Sequence, residues 1–75
     1  MTKLQIQTKF ITLQQFLKFA GALPSGGEAK ERIQSGAVTV NGAVCTQRGK
    51  KLYGTEIVAL DGAQYEVIGC VSDRS

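Results

Sequence analysis

The alternation of apolar and polar positions changes along the chain and predicts where its elements lie. Residues 3–8 alternate with a period of two, which is typical of a short strand with one buried face. From Leu13 to Ala20, apolar residues recur at i, i+3, i+4 and i+7, the spacing of an amphipathic helix. After Ala37 the period returns to two. The pattern therefore predicts a strand, a helical region and then a set of strands.

Capping residues divide the helical region into two helices. Thr12 is placed to cap the first helix, and Gly21 ends it. Ser25 is a good N-cap for a second helix, and Glu28 three residues later completes a Ser-x-x-Glu capping box. Glu28 and Arg32 have the i, i+4 spacing of a surface ion pair. We therefore expect a hairpin of two short helices.

Tight turns divide the remaining residues into strands. Asn41-Gly42 and Asp61-Gly62 are strong hairpin signals, because both central residues of a type I′ turn need a positive φ. The predicted fold is α+β: an N-terminal strand, a two-helix hairpin and a small antiparallel β-sheet. With 75 residues the chain makes one domain, whose core we expect at about residues 11–69 and whose residues 71–75 we expect to fray.

Charge is distributed unevenly along the chain. The net charge is +3, but residues 1–51 carry eight cations and two acids, whereas residues 52–75 carry one cation and four acids. Such asymmetry indicates one basic face, which is typical of a protein that binds a polyanion. The other interpretation is that surface lysines keep a small domain soluble. Charge alone leaves both open.

Composition counts against catalysis and metal binding. The chain has no His, so imidazole catalysis and His-ligated zinc are excluded. Cys45 and Cys70 have no CxxC partner, and we expect two reduced thiols. No apolar run approaches a membrane span, and the first residues do not resemble a secretion signal. We expect a cytoplasmic protein that is not an enzyme, with no membrane association, cofactor, metal or small-molecule substrate.

Two segments are candidates for binding phosphate. Ser25-Gly26-Gly27 opens the second helix, where free backbone N–H groups suit an anion, and Lys30 lies one turn further on the same side. The alternative is a plain cap whose glycines allow the helices to approach closely. A nucleotide-binding P-loop is excluded, because its lysine and hydroxyl are missing after Gly26.

The second segment is Arg48-Gly49-Lys50-Lys51, with three cations in four positions. Basic loops of this kind often contact phosphates, and a solvated surface is the alternative. Tyr53 is placed either to stack on a base or to close the edge of the core. Phe19 lies off the helical stripe, and we expect it to pack against the next element.

A longer motif resembles the core of the S-four domain, the RNA-binding module named after ribosomal protein S four. The matched positions are Ser25-x-x-x-Ala29-Lys30-x-x-Ile33-x-x-Gly36-x-Val38-x-Val40-Asn41-Gly42, with Leu13 and Leu17 before them and Gly54 and Ile57 after them. The chain is most similar to the small stand-alone bacterial proteins of the YaaA/YbcJ type. It departs from the broader family at Gly26, where that family often has Arg, and at Arg32, where it has Leu.

The resemblance implies an αL motif, in which two helices and the following β-hairpin dock on structured RNA. Carried over by position, the candidate RNA contacts are Ser25, Lys30, Arg48, Lys50 and Lys51. We add Gly26 and Gly27, because their backbone donors can take over part of the phosphate contact where the family arginine is missing. The resulting hypothesis is an RNA-binding protein whose partner is ribosomal or transfer RNA, or a ribosomal subunit, in ribosome assembly or translation. The alternative is a protein-interaction module associated with a ribosome or an RNA-modifying partner.

Overall fold

The computed structural model describes residues 1–70 and has the predicted α+β class. The expected fraying of residues 71–75 concerns positions outside this range. The elements are β1 (Thr2–Gln5), β2 (Ile11–Thr12), α1 (Leu13–Phe19), α2 (Gly26–Gln34), β3 (Val38–Val40), β4 (Ala43–Val44), β5 (Lys51–Leu52), β6 (Ile57–Leu60) and β7 (Ala63–Ile68).

Both helices begin at the predicted N-caps, but the complete capping box lies at the first helix. The Gln15 amide donates to the Thr12 hydroxyl at 3.3 Å, and the Thr12 amide donates to the Gln15 side chain at 3.2 Å. At α2 the Ser25 hydroxyl accepts from the Glu28 amide at 3.3 Å. Only the serine half of the box predicted there is formed. Gly36, with φ of 84°, follows the end of α2 as predicted.

Five strands form the main sheet in the order β1-β7-β6-β3-β4. Its hairpins are antiparallel, and Asn41 and Asp61 adopt the positive φ values, 54° and 52°, that their turns require. The N-terminal strand pairs with β7 in parallel, so that Leu4 lies opposite Val67. The sheet is therefore mixed rather than wholly antiparallel.

A separate two-stranded ribbon joins the start of α1 to the basic segment of residues 48–51. β2 pairs with β5 in antiparallel register, with Ile11 opposite Leu52 and Thr12 opposite Lys51. Because β2 leads directly into α1, this ribbon places the residues before Lys51 against the first turn of that helix. Neither strand shows the alternating pattern from which the other strands were predicted.

The core lies between the helical pair and the main sheet. Its buried side chains are all apolar: Ile6, Leu13, Phe16, Leu17, Leu23, Ala29, Ile33, Val38, Val40, Leu52, Val58, Leu60 and Val67. The expectation for Phe19 is wrong, because this ring is 50% exposed and contacts Phe16 of its own helix. Cys45, which is partly buried, and Cys70, which is exposed, are not joined by a disulfide. Within residues 1–70, neither helix has the length and apolar character needed to cross a bilayer.

Candidate nucleic-acid interface

The segment of residues 47–51, here called the basic loop, is held by the first turn of α1. The Leu13 amide donates to the Lys50 carbonyl at 2.8 Å, and the Gln14 amide donates to the Arg48 carbonyl at 3.0 Å. The first amides of a helix have no partner within the helix, so the loop satisfies groups that would otherwise need water. The loop backbone is thereby fixed at two points, while the Arg48 and Lys50 side chains remain exposed.

Gln14 also connects α1 to the start of α2. Its side-chain Nε2 donates to the Gly26 carbonyl at 3.0 Å. The carbonyl oxygens of Arg48 and Gly26 are therefore no more than about 12 Å apart, the reach of one glutamine and its two hydrogen bonds. The structure thus brings the two predicted segments together through one residue. Sequence analysis did not single out Gln14.

The contact between Gln14 and Gly26 also explains why a glycine follows Ser25. A Cβ added at Gly26 would lie 3.1 Å from Nε2 of Gln14, tighter than most side-chain contacts. The absence of a side chain at Gly26 leaves room for the Gln14 side chain to reach its carbonyl. A Cβ at Gly27 would meet nothing closer than 3.9 Å.

The opening of α2 leaves polar backbone groups available. The amides of Gly26 and Gly27 make no hydrogen bond within residues 1–70. Ser25 caps the helix by accepting from the Glu28 amide, and this use leaves its own O–H free to donate. Lys30 lies four residues after Gly26, hence on nearly the same side of the helix, and is exposed.

The cations of the two segments have no acidic partner at close range. Within the described residues, no carboxylate lies within salt-bridge distance of Lys30, Arg48, Lys50 or Lys51. Glu56, the acid nearest in sequence to the loop, accepts instead from the backbone amides of Tyr53 and Gly54 at 3.0 and 2.7 Å. We call Ser25, Gly26, Gly27, Lys30, Arg48, Lys50 and Lys51 the basic patch.

Arg32, although it lies on α2, has another role. Its Nη1 is 3.0 Å from Asp61 Oδ2 and donates to Oδ1 at 3.1 Å, which ties α2 to the β6–β7 turn. The hydrogen bond from Arg32 to Asp61, and next the charge of that carboxylate, raise the pKa of the guanidinium. The predicted ion pair with Glu28 is wrong, because a partner far away in sequence takes its place.

Together these features describe a small α+β domain with two short helices, a mixed five-stranded sheet and exposed cations at the start of α2 and in the basic loop. The chain belongs to the S4 domain family, whose model matches residues 4–68. The family resemblance seen in the sequence is confirmed.

Two related proteins show how far the likeness extends. The chain is 42% identical over 59 residues to the probable ribosome maturation protein RlbA of Bacillus subtilis (strain 168), a match covering 79% of this chain and 83% of that protein. It is also similar to the solution structure of YbcJ from E. coli, with a TM-score of 0.71 and 30% identity. That match covers 92% of this chain and 89% of YbcJ, whose structure is described as revealing an αL motif involved in RNA binding.

Proposed function

We propose that this protein is a non-catalytic RNA-binding protein that docks the basic patch on the backbone of structured RNA during ribosome assembly. The observation that carries the proposal is Gln14, which holds the basic loop by its backbone and the opening of α2 by its side chain. Two cationic segments that are distant in sequence therefore act as one surface. Ribosomal RNA is the proposed target, and transfer RNA is the second.

The charges of the patch are available to a phosphate backbone. Lys30, Arg48, Lys50 and Lys51 lack acidic partners at close range in residues 1–70, so an external anion has no internal one to displace. If all four cations neutralise phosphates, log affinity should fall against log salt with a slope of roughly −3 to −4. In this mode cations position the RNA and its shape gives most of the discrimination.

The related proteins support the same proposal. RlbA carries a name that places it in ribosome maturation, and YbcJ carries an αL motif involved in RNA binding. This chain shares the family and, with YbcJ, the fold. We infer an RNA target on the maturing ribosome, contacted by the patch.

The chemistry of the patch is that of binding rather than catalysis. Its side chains are four cations and one hydroxyl, and that hydroxyl serves as the cap of α2. A catalytic site would require a nucleophile beside a base or a pair of carboxylates in a cleft. None of the patch side chains is a carboxylate or a base of that kind.

Crosslinking followed by sequencing of the bound RNA, on the endogenous protein, tests the proposal. We expect crosslinks concentrated in one region of ribosomal RNA and lost in a Lys50→Glu, Lys51→Glu variant expressed at the same level. Crosslinks no more frequent than in a non-irradiated control, together with a salt-insensitive protein partner, would instead support the protein-interaction alternative.

A further inference from the structure

An aromatic pair lies on the outward face of the β2–β5 ribbon, beside the basic loop. Ile11 pairs with Leu52, so the antiparallel register places Phe10 opposite Tyr53. Their ring centroids are 5.9 Å apart, with planes inclined by 50°. Because Leu52 is fully buried and strand side chains alternate, Lys51 and Tyr53 lie on the solvent side.

The surface of this pair is open to solvent. Phe10 is 38% exposed and Tyr53 is 57% exposed, although large aromatic rings contribute most to stability when they are buried. The ammonium of Lys51 lies 5.0 Å from the Phe10 centroid, within range of a cation–π contact. Phe10 is therefore covered on one side by a cation and adjoins Tyr53, which leaves Tyr53 as the more accessible ring.

The backbone that carries Tyr53 is held from several directions. The Glu56 carboxylate accepts from the amides of both Tyr53 and Gly54. Behind them, a Cβ at Gly69 would lie 2.8 Å from the Tyr53 carbonyl, and a Cβ at Gly54 would lie 2.9 Å from the Gly69 nitrogen. Two glycines thus let the chain segments touch. The backbone at Tyr53 is therefore already ordered, so a ligand that stacks on the ring need not order the chain.

We propose that Tyr53, backed by Phe10, is a stacking platform for an unpaired nucleobase of the bound RNA. Lys51 belongs both to the basic patch and to the aromatic cluster, so a cation lies beside the rings to meet the phosphate of a stacked nucleotide. Single-stranded loops and bulges expose bases that stack on aromatic rings, whereas paired bases do not. The inference rests on the proposed function and narrows its target to RNA that presents a splayed nucleotide next to a duplex.

Two RNA probes of equal phosphate number test the platform. One is a stem closed by a loop of uridines, and the other is a blunt duplex; affinities are measured by fluorescence anisotropy at one salt concentration. We expect wild type to prefer the hairpin, and Tyr53→Leu to lose about tenfold or more of hairpin affinity while its duplex affinity changes less than about twofold. Tyr53→Phe, which keeps an aromatic ring, should retain the hairpin affinity of wild type.

A matched control is the other half-exposed aromatic, Phe19, at the far end of α1 from the ribbon. Phe19→Leu should bind both probes as wild type does, and thermal melting by circular dichroism should show every variant folded. In addition, the Tyr53 ring protons should shift upfield with the hairpin and not with the duplex, because a stacked base shields them.

Failure of the platform and failure of the proposed function give different results. In one outcome, Tyr53→Leu binds both probes like wild type, whereas the double variant Lys50→Glu with Lys51→Glu loses affinity for both. The stacking platform is then wrong, and RNA binding by the basic patch is supported. If the charge reversal leaves both affinities unchanged, RNA binding by the patch is overturned and the platform with it. A Tyr53→Leu variant that keeps RNA affinity but loses a salt-insensitive protein complex would identify a protein surface instead.

Discussion

The cations of the basic loop and Arg32 of α2 have different surroundings, and the difference shows which side chains the fold itself uses. Lys50 and Lys51 lie in the basic loop, whose backbone is fixed by α1, and no acid lies within salt-bridge distance of them in residues 1–70. Arg32 is fixed by its side chain, which pairs with Asp61 and joins α2 to the sheet. Sequence alone does not distinguish them, because all three are basic residues on a small basic domain.

Comparison of the two surroundings shows that the backbone contacts decide which cations are available to a ligand. In the basic loop, carbonyl groups satisfy the free amides of α1 and the side chains contact solvent. At Arg32 the guanidinium itself makes the tertiary contact. Charge changes in the loop should therefore alter RNA binding, and changes at Arg32 should alter mainly the fold.

The largest effect is expected from reversing two of the three charges of the basic loop. Lys50→Glu with Lys51→Glu should lower RNA affinity by about 100-fold or more at low salt and flatten the salt dependence by roughly two units of slope, because two phosphate contacts become repulsive. The melting temperature should change little, since both side chains are exposed. Anisotropy titrations at several salt concentrations measure both quantities.

The matched control changes the net charge equally elsewhere. Lys3→Glu with Lys18→Glu alters β1 at the sheet edge and the last turn of α1, away from the loop. Equal losses of affinity in the two double variants would show that RNA affinity depends only on the net charge of the protein. The basic patch would then not be the RNA-binding surface.

An intermediate effect is expected at Gln14. Gln14→Ala removes the hydrogen bond to Gly26, worth about 1 kcal/mol of stability, and releases the opening of α2 from the loop. RNA affinity should fall about fivefold, as the two parts of the patch lose their fixed spacing. Gln15→Ala is the control, because it removes the bond to the Thr12 amide but no link within the patch. A similar affinity loss in both variants would contradict the role given to Gln14.

The smallest effect on binding is expected at Arg32. Arg32→Gln should leave RNA affinity unchanged and lower thermal stability slightly, because an exposed ion pair contributes little. Asp61→Asn should produce the same small change, and the double variant should be no less stable than either single one. A marked loss of RNA affinity in Arg32→Gln, with Asp61→Asn unaffected, would place Arg32 in the interface.

The parts of the fold that depend on local chemistry were predictable from the sequence. Asn41 and Gly42 form the expected turn, with φ values of 54° and 84°, because few residue types accept that conformation. Thr12 and Ser25 cap the helices as expected, since their hydroxyls satisfy amides three residues ahead. Such signals need no knowledge of the rest of the chain.

The parts that depend on distant contacts were not predictable. β1 pairs in parallel with β7 at the other end of the sequence, and β2 and β5 are too short to show a period. Asp61 was identified as a turn residue, and its ion pair with Arg32 exists only because α2 packs near that turn.

The candidate site divides in the same way. The cations of the basic loop and the opening of α2 were evident from residue type and spacing. The contact that joins these two segments was not evident, because Gln14 looks like an ordinary polar residue on the surface of a helix. Phe10 carried no signal either, since its role depends on Tyr53 across the ribbon.

The most direct test of the central claim is an amide-resolved NMR titration of the whole chain with the uridine-loop hairpin. We expect the largest shifts to fall together on Gly26, Gly27, Lys30 and residues 48–51, with the β6–β7 turn at Asp61 unaffected. Shifts centred on that turn, or on one of the two segments without the other, would contradict a single interface joined through Gln14.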